Sequence, residues 1–471
     1  MARLPRQSSG SWGAPSPPRP AVGLSTAALL LRASSRGLTV ASRGFTVAAR
    51  GLTVAAAGAW RRRGLAAALA LIGGSGLLAG CAAWSQRAPV VLFLGISTLG
   101  NEAVNRDTTE QFARGFRETL QRFQQIHPNV QVRLAVYQEN MLGFALRRRQ
   151  RSGLGPDLIA TTAEQAHALQ QRGLLEPMPL GPRQREAIKP SLLRRVTDRQ
   201  GRIFAQPVLV LAQLACYDTR RMRQAPTTMQ ELLSASAAGA RVGLSLQVRE
   251  LFWSAGSLGA LPAIRTAVHG VQPDPRQMEG LRTWLRWLQA AESQSRLSFL
   301  DNEIQLRDGL RSGQLDWITC PSSDLQVLQR SLGRHLGVAP LPNGDGFEAS
   351  PISVLRVLSL GRGSSPRQRQ LAIELAHFTL NPLMQRSLTL LNRSVLPVNP
   401  RVSVPVSASH VLGALEMASR QADQAGPVLA VLHSADPRIP RLREVLVQEV
   451  FAELSPDQAA QQLVAILRGP P

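Results

Sequence analysis

Four residue types are scarce in this 471-residue chain, and their scarcity limits what the protein can do. Lys189 is the only lysine, and there are two tyrosines, three cysteines and seven histidines. The net charge of +23 therefore comes almost wholly from arginine, and the arginines are spread nearly evenly along the chain. Nucleic-acid-binding proteins instead cluster Lys and Arg on one face or along one helix. We therefore expect no nucleic-acid partner.

Motifs for catalysis and metal binding are also missing. The sequence has no Gly-x-Ser-x-Gly elbow, no phosphate-binding loop and no Gly-x-Gly-x-x-Gly after a predicted strand. No histidine has a His-x-x-x-His or Cys-x-x-Cys neighbour, so no metal site is predicted. Asp301 and Glu303 form an acidic pair, which by itself is commonly a solvated feature. We expect neither an enzyme nor a cofactor.

The pattern between residues 61 and 81 predicts a secretion signal. The basic cluster Arg61–Arg63 precedes an apolar run, Leu65–Ala79, which ends in Leu78-Ala79-Gly80-Cys81. Basic, apolar and small residues in this order are typical of a signal peptide. The last four residues resemble the bacterial lipobox, which implies that Cys81 is lipidated and becomes the mature N-terminus. The alternative is a short membrane anchor, but the run is shorter than the roughly 20 apolar residues that a span needs.

Residues 1–60 precede this complete signal and contain no Asp or Glu. They hold a seven-residue repeat that begins at Gly37, Gly44 and Gly51. Such a composition is also typical of an organelle transit peptide, although a transit peptide should not be followed by a lipobox. We interpret the segment as disordered or as lying upstream of a true start near Trp60, and we assign it no fold. Residues 61–80 are then the signal, and residues 81–87 are the lipidated cysteine and a linker.

The mature chain begins with an alternation of strands and helices. Pro89–Leu94, Val130–Val136 and Pro156–Ala160 read as strands, and a capping box at Asp107 predicts the start of the first helix. A helix over Ala163–Arg172 follows. This order implies a parallel sheet, in which ligands bind beyond the carboxyl ends of the strands. Five residues should therefore lie at the mouth of a site: Ser97, Thr98, Asn101, Thr161 and Thr162.

A second α/β unit is predicted from Val208 to Leu341, and the remaining elements follow it. Its predicted strands are Val208–Cys216, Val242–Leu246 and Leu315–Thr319, and its helices include Thr227–Ser236 and Met278–Gln294. After a turn-rich segment, Pro340–Gly346, come the strand Val354–Leu360 and helices over Pro366–Leu380, Ser407–Gln424 and Arg438–Leu467. Cys216 and Cys320 either form a disulfide, which an exported chain can hold, or are two separate buried thiols.

Several short motifs occur in a fixed order between about residues 90 and 400. They are Phe116, Phe123, His127–Val132, Pro156–Ile159, Gly173–Met178, Gln206–Val208, Cys216–Asp218, Ala225–Leu232, Gly337–Pro342, Asn381–Gln385 and Leu396–Asn399. This series resembles the family 1 extracellular solute-binding proteins of ABC importers, which include maltose-binding protein. The resemblance implies a type II periplasmic-binding-protein fold: two α/β lobes, each a mainly parallel sheet flanked by helices, joined by a hinge.

The resemblance also implies domain boundaries and a binding site. The first lobe would hold residues 88–208 and 343–385, and the second residues 209–342 and 386–471, with crossings at Gln206–Leu214 and Pro340–Gly346. The cleft between them would bind ligand through Ser97, Thr98, Asn101, Thr161, Thr162, Arg249, Glu250, Trp253, Ser322, Ser323 and Asp324. Trp253 is the expected sugar platform, with a core position as the alternative, whereas Trp317, Trp284 and Trp287 are expected in the core.

The implied function is that of a lipid-anchored receptor on the outer face of the cell membrane. It would be a monomer that captures a sugar or a related polyol or glycoside and delivers it to ABC permease subunits. Aromatic residues make up only 4% of the chain, and none lies in the Ser322–Asp324 loop. A charged solute such as a polyamine or a phosphorylated sugar therefore stays an alternative, as does a sensor or scaffold without transport.

Overall fold

The computed structural model describes residues 89–100, 102–432 and 436–470. The predictions for residues 1–60, for the signal over residues 61–80, for Cys81 with its linker and for Asn101 lie outside the described residues. Among the helices of the described ranges, none is both long enough and apolar enough to cross a membrane.

The first sheet is built from three parallel strands and three antiparallel additions. β1 (Val90–Ser97) lies between β2 (Val130–Tyr137) and β3 (Leu158–Thr162) and pairs with both in parallel. β9 (Ser353–Leu360) then pairs antiparallel with β3, the first half of β4 (Gln206–Asp218) pairs with β9, and β10 (Leu396–Pro397) pairs with β4. The predicted parallel β-α-β-α-β start is confirmed.

The first helix begins two residues earlier than the sequence predicted. α1 (Arg106–Ile126) is capped by Asn105, whose side chain accepts from the backbone N–H of Thr108 at 2.9 Å. The Thr108 hydroxyl accepts in return from the backbone N–H of Asn105, also at 2.9 Å. Asp107 therefore lies in the first turn and is not the cap, because Asn105 and Thr108 already form the reciprocal capping box.

The other helices of the first lobe connect or follow its strands. They are α2 (Leu142–Arg151), α3 (Ala163–Gln171), α4 (Pro182–Glu186), α5 (Pro190–Arg194), and later α12 (Pro366–Phe378) and α13 (Pro382–Asn392). The proposed lobe boundary at residue 385 would cut α13 in two. Because β10 beyond it pairs with the first half of β4, we place residues up to Asn399 in the first lobe.

The second sheet, like the first, combines three parallel strands with antiparallel neighbours. β5 (Val242–Ser245) lies between β6 (Leu297–Leu300) and β7 (Trp317–Pro321), parallel to both, and the second half of β4 lies antiparallel between β7 and β8 (Leu336–Ala339). The sequence reading missed β6 and β8, which are only four residues long. The helices here are α6 (Met229–Ala237), α7 (Val248–Ser257), α8 (Leu261–Val268), α9 (Pro275–Glu292), α10 (Glu303–Arg311) and α11 (Leu325–Leu332).

The chain passes between the two sheets three times. β4 pairs with β9 up to Ala212 and with β7 from Gln213 onward, so one strand belongs to both sheets. The segment from β8 to β9 is the second connection. The third, which the sequence reading did not foresee, is α14 (His410–Val431): Leu412 and Leu415 lie in the first core and Val428 in the second.

The end of the chain completes the second lobe. The predicted helical stretch Arg438–Leu467 is two helices, α15 (Ile439–Val450) and α16 (Pro456–Arg468). Ala452 between them has a positive φ of 59°, which ends α15, and the Ser455 side chain caps α16. The question left open for the cysteines is settled by a disulfide between Cys216 on β4 and Cys320 on β7, with their Cα atoms 5.9 Å apart.

Candidate ligand-binding cleft

Three of the residues predicted to bind ligand at the ends of β1 and β3 have buried side chains that hydrogen-bond within the protein. Ser97, Thr98 and Thr161 are fully buried. The hydroxyls of Ser97 and Thr161 hydrogen-bond each other at 2.9 Å, and the Thr98 hydroxyl donates to the carbonyl of Glu102 at 3.0 Å. The prediction that these three side chains contact ligand is therefore wrong for this structure. They fix the strand ends on which the cleft is built.

Arg356 lies beside the ends of β1 and β3. The sequence did not predict it as a site residue. Its guanidinium donates to the carbonyls of Ser97 at 2.9 Å and Ala160 at 3.3 Å, so it joins the ends of β1 and β3 from the neighbouring strand β9. Burial lowers the pKa of Arg356 to about 10, against the opposing effect of the Glu139 carboxylate. The group therefore stays charged at neutral pH and brings a buried positive charge to the cleft.

Two glutamates of the first lobe, Glu139 and Glu164, add negative charge to the candidate site. Glu139, just after β2, accepts from the hydroxyl of Thr162 at 2.7 Å, and burial raises its pKa. Glu164, in the first turn of α3, accepts from Arg195 at 3.0 Å. Burial alone would raise the pKa of Glu164, but the positive charges of Arg195 and Arg249 hold it below its usual value. Of the first-lobe predictions, Thr162 takes part in this network.

In the second lobe a pair of carboxyl groups lies at the crossing of β4. The backbone N–H of Glu303 donates to Glu250 at 3.0 Å, and the Ser245 hydroxyl donates to the same carboxylate oxygen. The Gln213 side chain, on β4, donates to the carbonyl of Glu250 at 2.7 Å and to the carboxylate of Glu303 at 3.2 Å. Burial raises the pKa of Glu250 to about 7. Burial, together with the negative charges of Glu250 and Asp324, raises the pKa of Glu303 well above its usual range.

The loop after β7 brings Asp324 to the candidate site. Asp324 is buried and pairs with Arg307 of α10 at 3.4 Å, and burial raises its pKa to about 7 against the charge of Arg307. Arg307 also reaches Glu102 of the first lobe at 3.6 Å, so this ion pair crosses between the lobes. Ser323 is half-buried, whereas Ser322 is fully buried and accepts from the backbone N–H of Ala212 at 3.2 Å. Ser322 is therefore structural, contrary to prediction.

Arg249 links the two lobes electrostatically. Its charge lowers the pKa values of Glu139 and Glu164 on the first lobe and of Glu250 and Glu303 on the second, relative to what burial alone would give. Its Nε atom is buried and has no hydrogen-bond partner among the residues that the structure describes. A buried guanidinium nitrogen without a partner is costly, and a bound ligand would supply that partner.

Trp253 is the clearest correction. The sequence reading placed it in the cleft as a sugar platform, but its side chain is completely buried in the second core, with its ring 6.4 Å from that of Trp317. Only the first turn of α7, with Arg249 and Glu250, reaches the cleft, and every residue from Leu251 to Ser257 is buried. Trp317, Trp284 and Trp287 lie in the core as expected.

The candidate site is thus a charged network of six carboxyl groups and four arginines. The carboxyl groups are Glu102, Glu139, Glu164, Glu250, Glu303 and Asp324, and the arginines are Arg195, Arg249, Arg307 and Arg356. Within the described ranges no group of three or more His, Cys, Asp or Glu side chains could hold a metal ion. Carboxylates accept hydrogen bonds and guanidinium groups donate them, so the cleft can hold a ligand rich in polar groups.

The sequence did carry a signal for some of the residues that were missed. Glu139 and Glu303 follow β2 and β6 by two or three residues, so the same strand-end argument that selected Ser97 could have selected them. Arg356 lies within β9 and Arg195 just after the short helix α5, positions that no strand-end rule marks.

Solved structures with the same fold are numerous. No protein-family model matches the chain, and no curated protein sequence does. The GacH receptor of Streptomyces glaucescens, solved unliganded and with acarbose, has a TM-score of 0.62 at 16% identity, covering 80% of this chain and 97% of that chain. The maltose-binding protein MalE of Listeria monocytogenes, solved with maltose, has a TM-score of 0.60 at 15% identity, covering 80% and 97%.

A solute-binding protein of an ABC transporter from Thermotoga lettingae, solved with α-D-tagatose, has a TM-score of 0.58 at 14% identity and covers 80% of this chain and 100% of that chain. At such low identity these likenesses establish the fold. The chain has the two-lobed α/β fold of the maltose-type solute-binding proteins. This confirms the fold that the sequence resemblance implied.

Proposed function

We propose that this protein is a solute-binding receptor of an ABC import system that captures a sugar, or a related polyol or glycoside, between its lobes. Lipidation of Cys81 would hold it as a monomer at the outer face of the cell membrane, and permease subunits would receive the solute. One observation carries the ligand site: Arg249 is half-buried among carboxyl groups from both lobes, and its buried Nε has no hydrogen-bond partner among the described residues.

The polar lining supports a ligand with many hydroxyl groups. Each hydroxyl can donate to a carboxylate such as Glu139 or Glu250 and accept from a guanidinium such as Arg249. Hydrogen bonds to charged groups are about twice as strong as neutral ones. Such groups therefore provide affinity and orientation without an aromatic platform. The solute-binding proteins that share this fold include ones solved with acarbose, maltose and tagatose.

The connections between the lobes support the proposal as well. Arg307 on the second lobe contacts Glu102 on the first, and β4 runs unbroken through both sheets. Two lobes joined by such narrow connections close around ligands by hinge motion. Small-angle scattering with a confirmed ligand should show a smaller radius of gyration, and an unchanged radius would argue for a rigid scaffold.

The direct test is a thermal-shift screen of the protein against sugars, polyols, polyamines and phosphates. A ligand at 100 times its dissociation constant adds roughly 2.7 kcal/mol to stability. Arg249→Met should then weaken the ligand found by about tenfold or more, because a charged donor is lost. Arg401→Met is the matched control, since the Arg401 side chain is 69% exposed and lies outside the cleft. Equal affinity in both variants would remove Arg249 from the site.

A charged solute is the second candidate, because six carboxyl groups face four arginines in the cleft. Burial raises the pKa values of five of these carboxyl groups, so their protonation can offset the excess, and both a polyamine and a phosphorylated sugar stay candidates. A polyamine that shifts the melting temperature while every sugar and polyol fails would replace the sugar proposal.

The lipid anchor needs a separate experiment. Cys81→Ser should abolish incorporation of labelled fatty acid and leave an unprocessed precursor. Normal labelling of that variant would contradict the anchor while leaving the binding proposal intact.

A further inference from the structure

An apolar recess of about 140 Å³ lies beside the polar cleft. Its walls include Phe112, Gly115 and Phe116 of α1, Leu388 of α13, and Leu209 and Leu211 of β4. None of these side chains has a role in the polar network. The recess therefore offers an apolar surface to a ligand beside the charged network.

The recess is walled by both lobes. Ser323 and Gln326 of the second lobe line it opposite α1 and α13. The side chain of Gln326 donates to the side chain of Asn392, on α13, at 3.0 Å, and this hydrogen bond joins the lobes at the wall of the recess. A group bound in the recess would therefore contact the same two lobes that form the cleft.

The recess and the polar cleft share residues. Asp324, Glu102 and Arg356 line the recess. The same three side chains belong to the charged network, through the Arg307 ion pairs and through the bonds of Arg356 to the end of β1. One molecule can therefore reach both, with an apolar part among the phenylalanine and leucine side chains and a polar part among the carboxylates and arginines.

The volume indicates the size of the apolar part. An engineered apolar cavity of roughly 150 Å³ stays dry and binds benzene, so this recess can hold a group about as large as a phenyl ring. A carbohydrate ring would have to place hydroxyl groups against the leucine and phenylalanine side chains of this wall, which offer them no hydrogen-bond partner.

We propose that the recess is a binding site for the apolar group of an amphipathic ligand, such as an aryl or alkyl glycoside, whose polar part occupies the cleft. The nature of the polar part rests on the proposed function. The recess itself is tested independently of it.

Gly115 allows the recess to be filled without disturbing the fold. It lies within α1 and lines the recess, and a Cβ atom added there would meet no heavy atom within 4 Å. Gly115→Leu should therefore place an isobutyl group in the empty space. Gly115→Ala is the matched control, because it makes the same backbone change and adds only one methyl group.

The first arm of the experiment measures p-cresol binding to the protein and to both variants by calorimetry. We expect binding to the protein and to Gly115→Ala, and at least a tenfold loss in Gly115→Leu. Absence of binding to the protein, or equal binding to Gly115→Leu, would overturn the site.

The second arm compares methyl and phenyl glycosides of the same sugar, for several sugars. For a sugar that binds, the phenyl member should bind at least about tenfold tighter, because it buries additional apolar surface, and Gly115→Leu should erase that preference while retaining the methyl member. Equal binding of the two members by the unmodified protein would overturn the link between recess and ligand. If no glycoside binds but p-cresol does, the proposed sugar function and the glycoside link both fail, and the apolar site stands.

Discussion

Glu449 provides the sharpest prediction on stability, because it is a buried carboxyl group without compensation. It lies on α15 and is completely buried, and neither of its carboxylate oxygens has a hydrogen-bond partner among the described residues. Gln289 of α9 donates to the Glu449 backbone carbonyl at 3.0 Å but not to the carboxylate. Burial raises the pKa of Glu449 to about 8.

Because the folded-state pKa of Glu449 is raised, the protein should become less stable as the pH rises. Above the ordinary glutamate pKa the unfolded chain loses the proton, whereas the folded chain retains it up to about pH 8. The free energy of unfolding should therefore fall by about 1.4 kcal/mol per pH unit across this interval, which amounts to about 3 kcal/mol by pH 7. Below the ordinary pKa both states are protonated, and the effect is absent.

Glu449→Gln removes the titration while keeping the shape of the side chain. Urea unfolding, followed by the fluorescence of Trp253, Trp284, Trp287 and Trp317 in the same core, should show similar stability for variant and protein near pH 5. At pH 8 the variant should be more stable by about 4 kcal/mol. Other carboxyl groups with raised pKa values, such as Glu303, affect both proteins alike. Parallel pH profiles of the two proteins would refute the assignment.

Three further predictions concern the core, the disulfide and the cleft. Trp253→Ala should lower the free energy of unfolding by about 3–5 kcal/mol through the cavity it leaves, and a variant with normal stability but lost ligand affinity would restore the cleft assignment. Replacing both Cys216 and Cys320 with alanine should destabilise by about 3–5 kcal/mol in urea, because the bond closes a loop with a sequence separation of 104; an unchanged midpoint would contradict this. Because Glu250 and Asp324 have pKa values raised to about 7, a hydroxyl-donating ligand should bind about tenfold tighter at pH 8 than at pH 6 by calorimetry, and a pH-independent affinity would exclude these two carboxylates from the site.

The fold was predictable because its information is local and repeated. β1 to β3 each read as a compact apolar or alternating run, and the intervening helices have helical spacing of apolar residues, as Phe112, Phe116 and Phe123 show. Runs of this kind specify strand and helix without knowledge of partners. The four-residue strands β6 and β8 were missed, although β5, which is equally short, was predicted. Their pairing with β5 and β4, which depends on the tertiary fold, makes them strands.

The position of Asn105 shows the limit of local capping rules. Asp107 with Glu110 and Asn105 with Thr108 are both plausible capping pairs in sequence. The chain before the helix decides between them: the Thr108 hydroxyl also donates to the carbonyl of Ala103 at 3.2 Å, which fixes the approach of the loop. That contact depends on the path of the loop and not on residue identity alone.

The candidate site was only half predictable, and α7 shows why. The sequence identified the segment from Arg249 to Trp253 as one unit of the cleft, yet each helical residue advances about 1.5 Å along the axis. Trp253 is four residues beyond Arg249 and so lies about 6 Å farther along α7, inside a core that surrounds the helix from Leu251 onward. Arg249 and Glu250 meet the cleft because they belong to the first turn. The position at which the preceding strand ends decides which turn of the helix lies at the cleft. β5 ends at Ser245, and the Ser245 hydroxyl donates a hydrogen bond to the carboxylate of Glu250 in the first turn of α7. Where a cleft meets a helix at its first turn, polar residues such as Arg249 and Glu250 can face the ligand, whereas an aromatic residue one turn farther on, such as Trp253, is buried in the core.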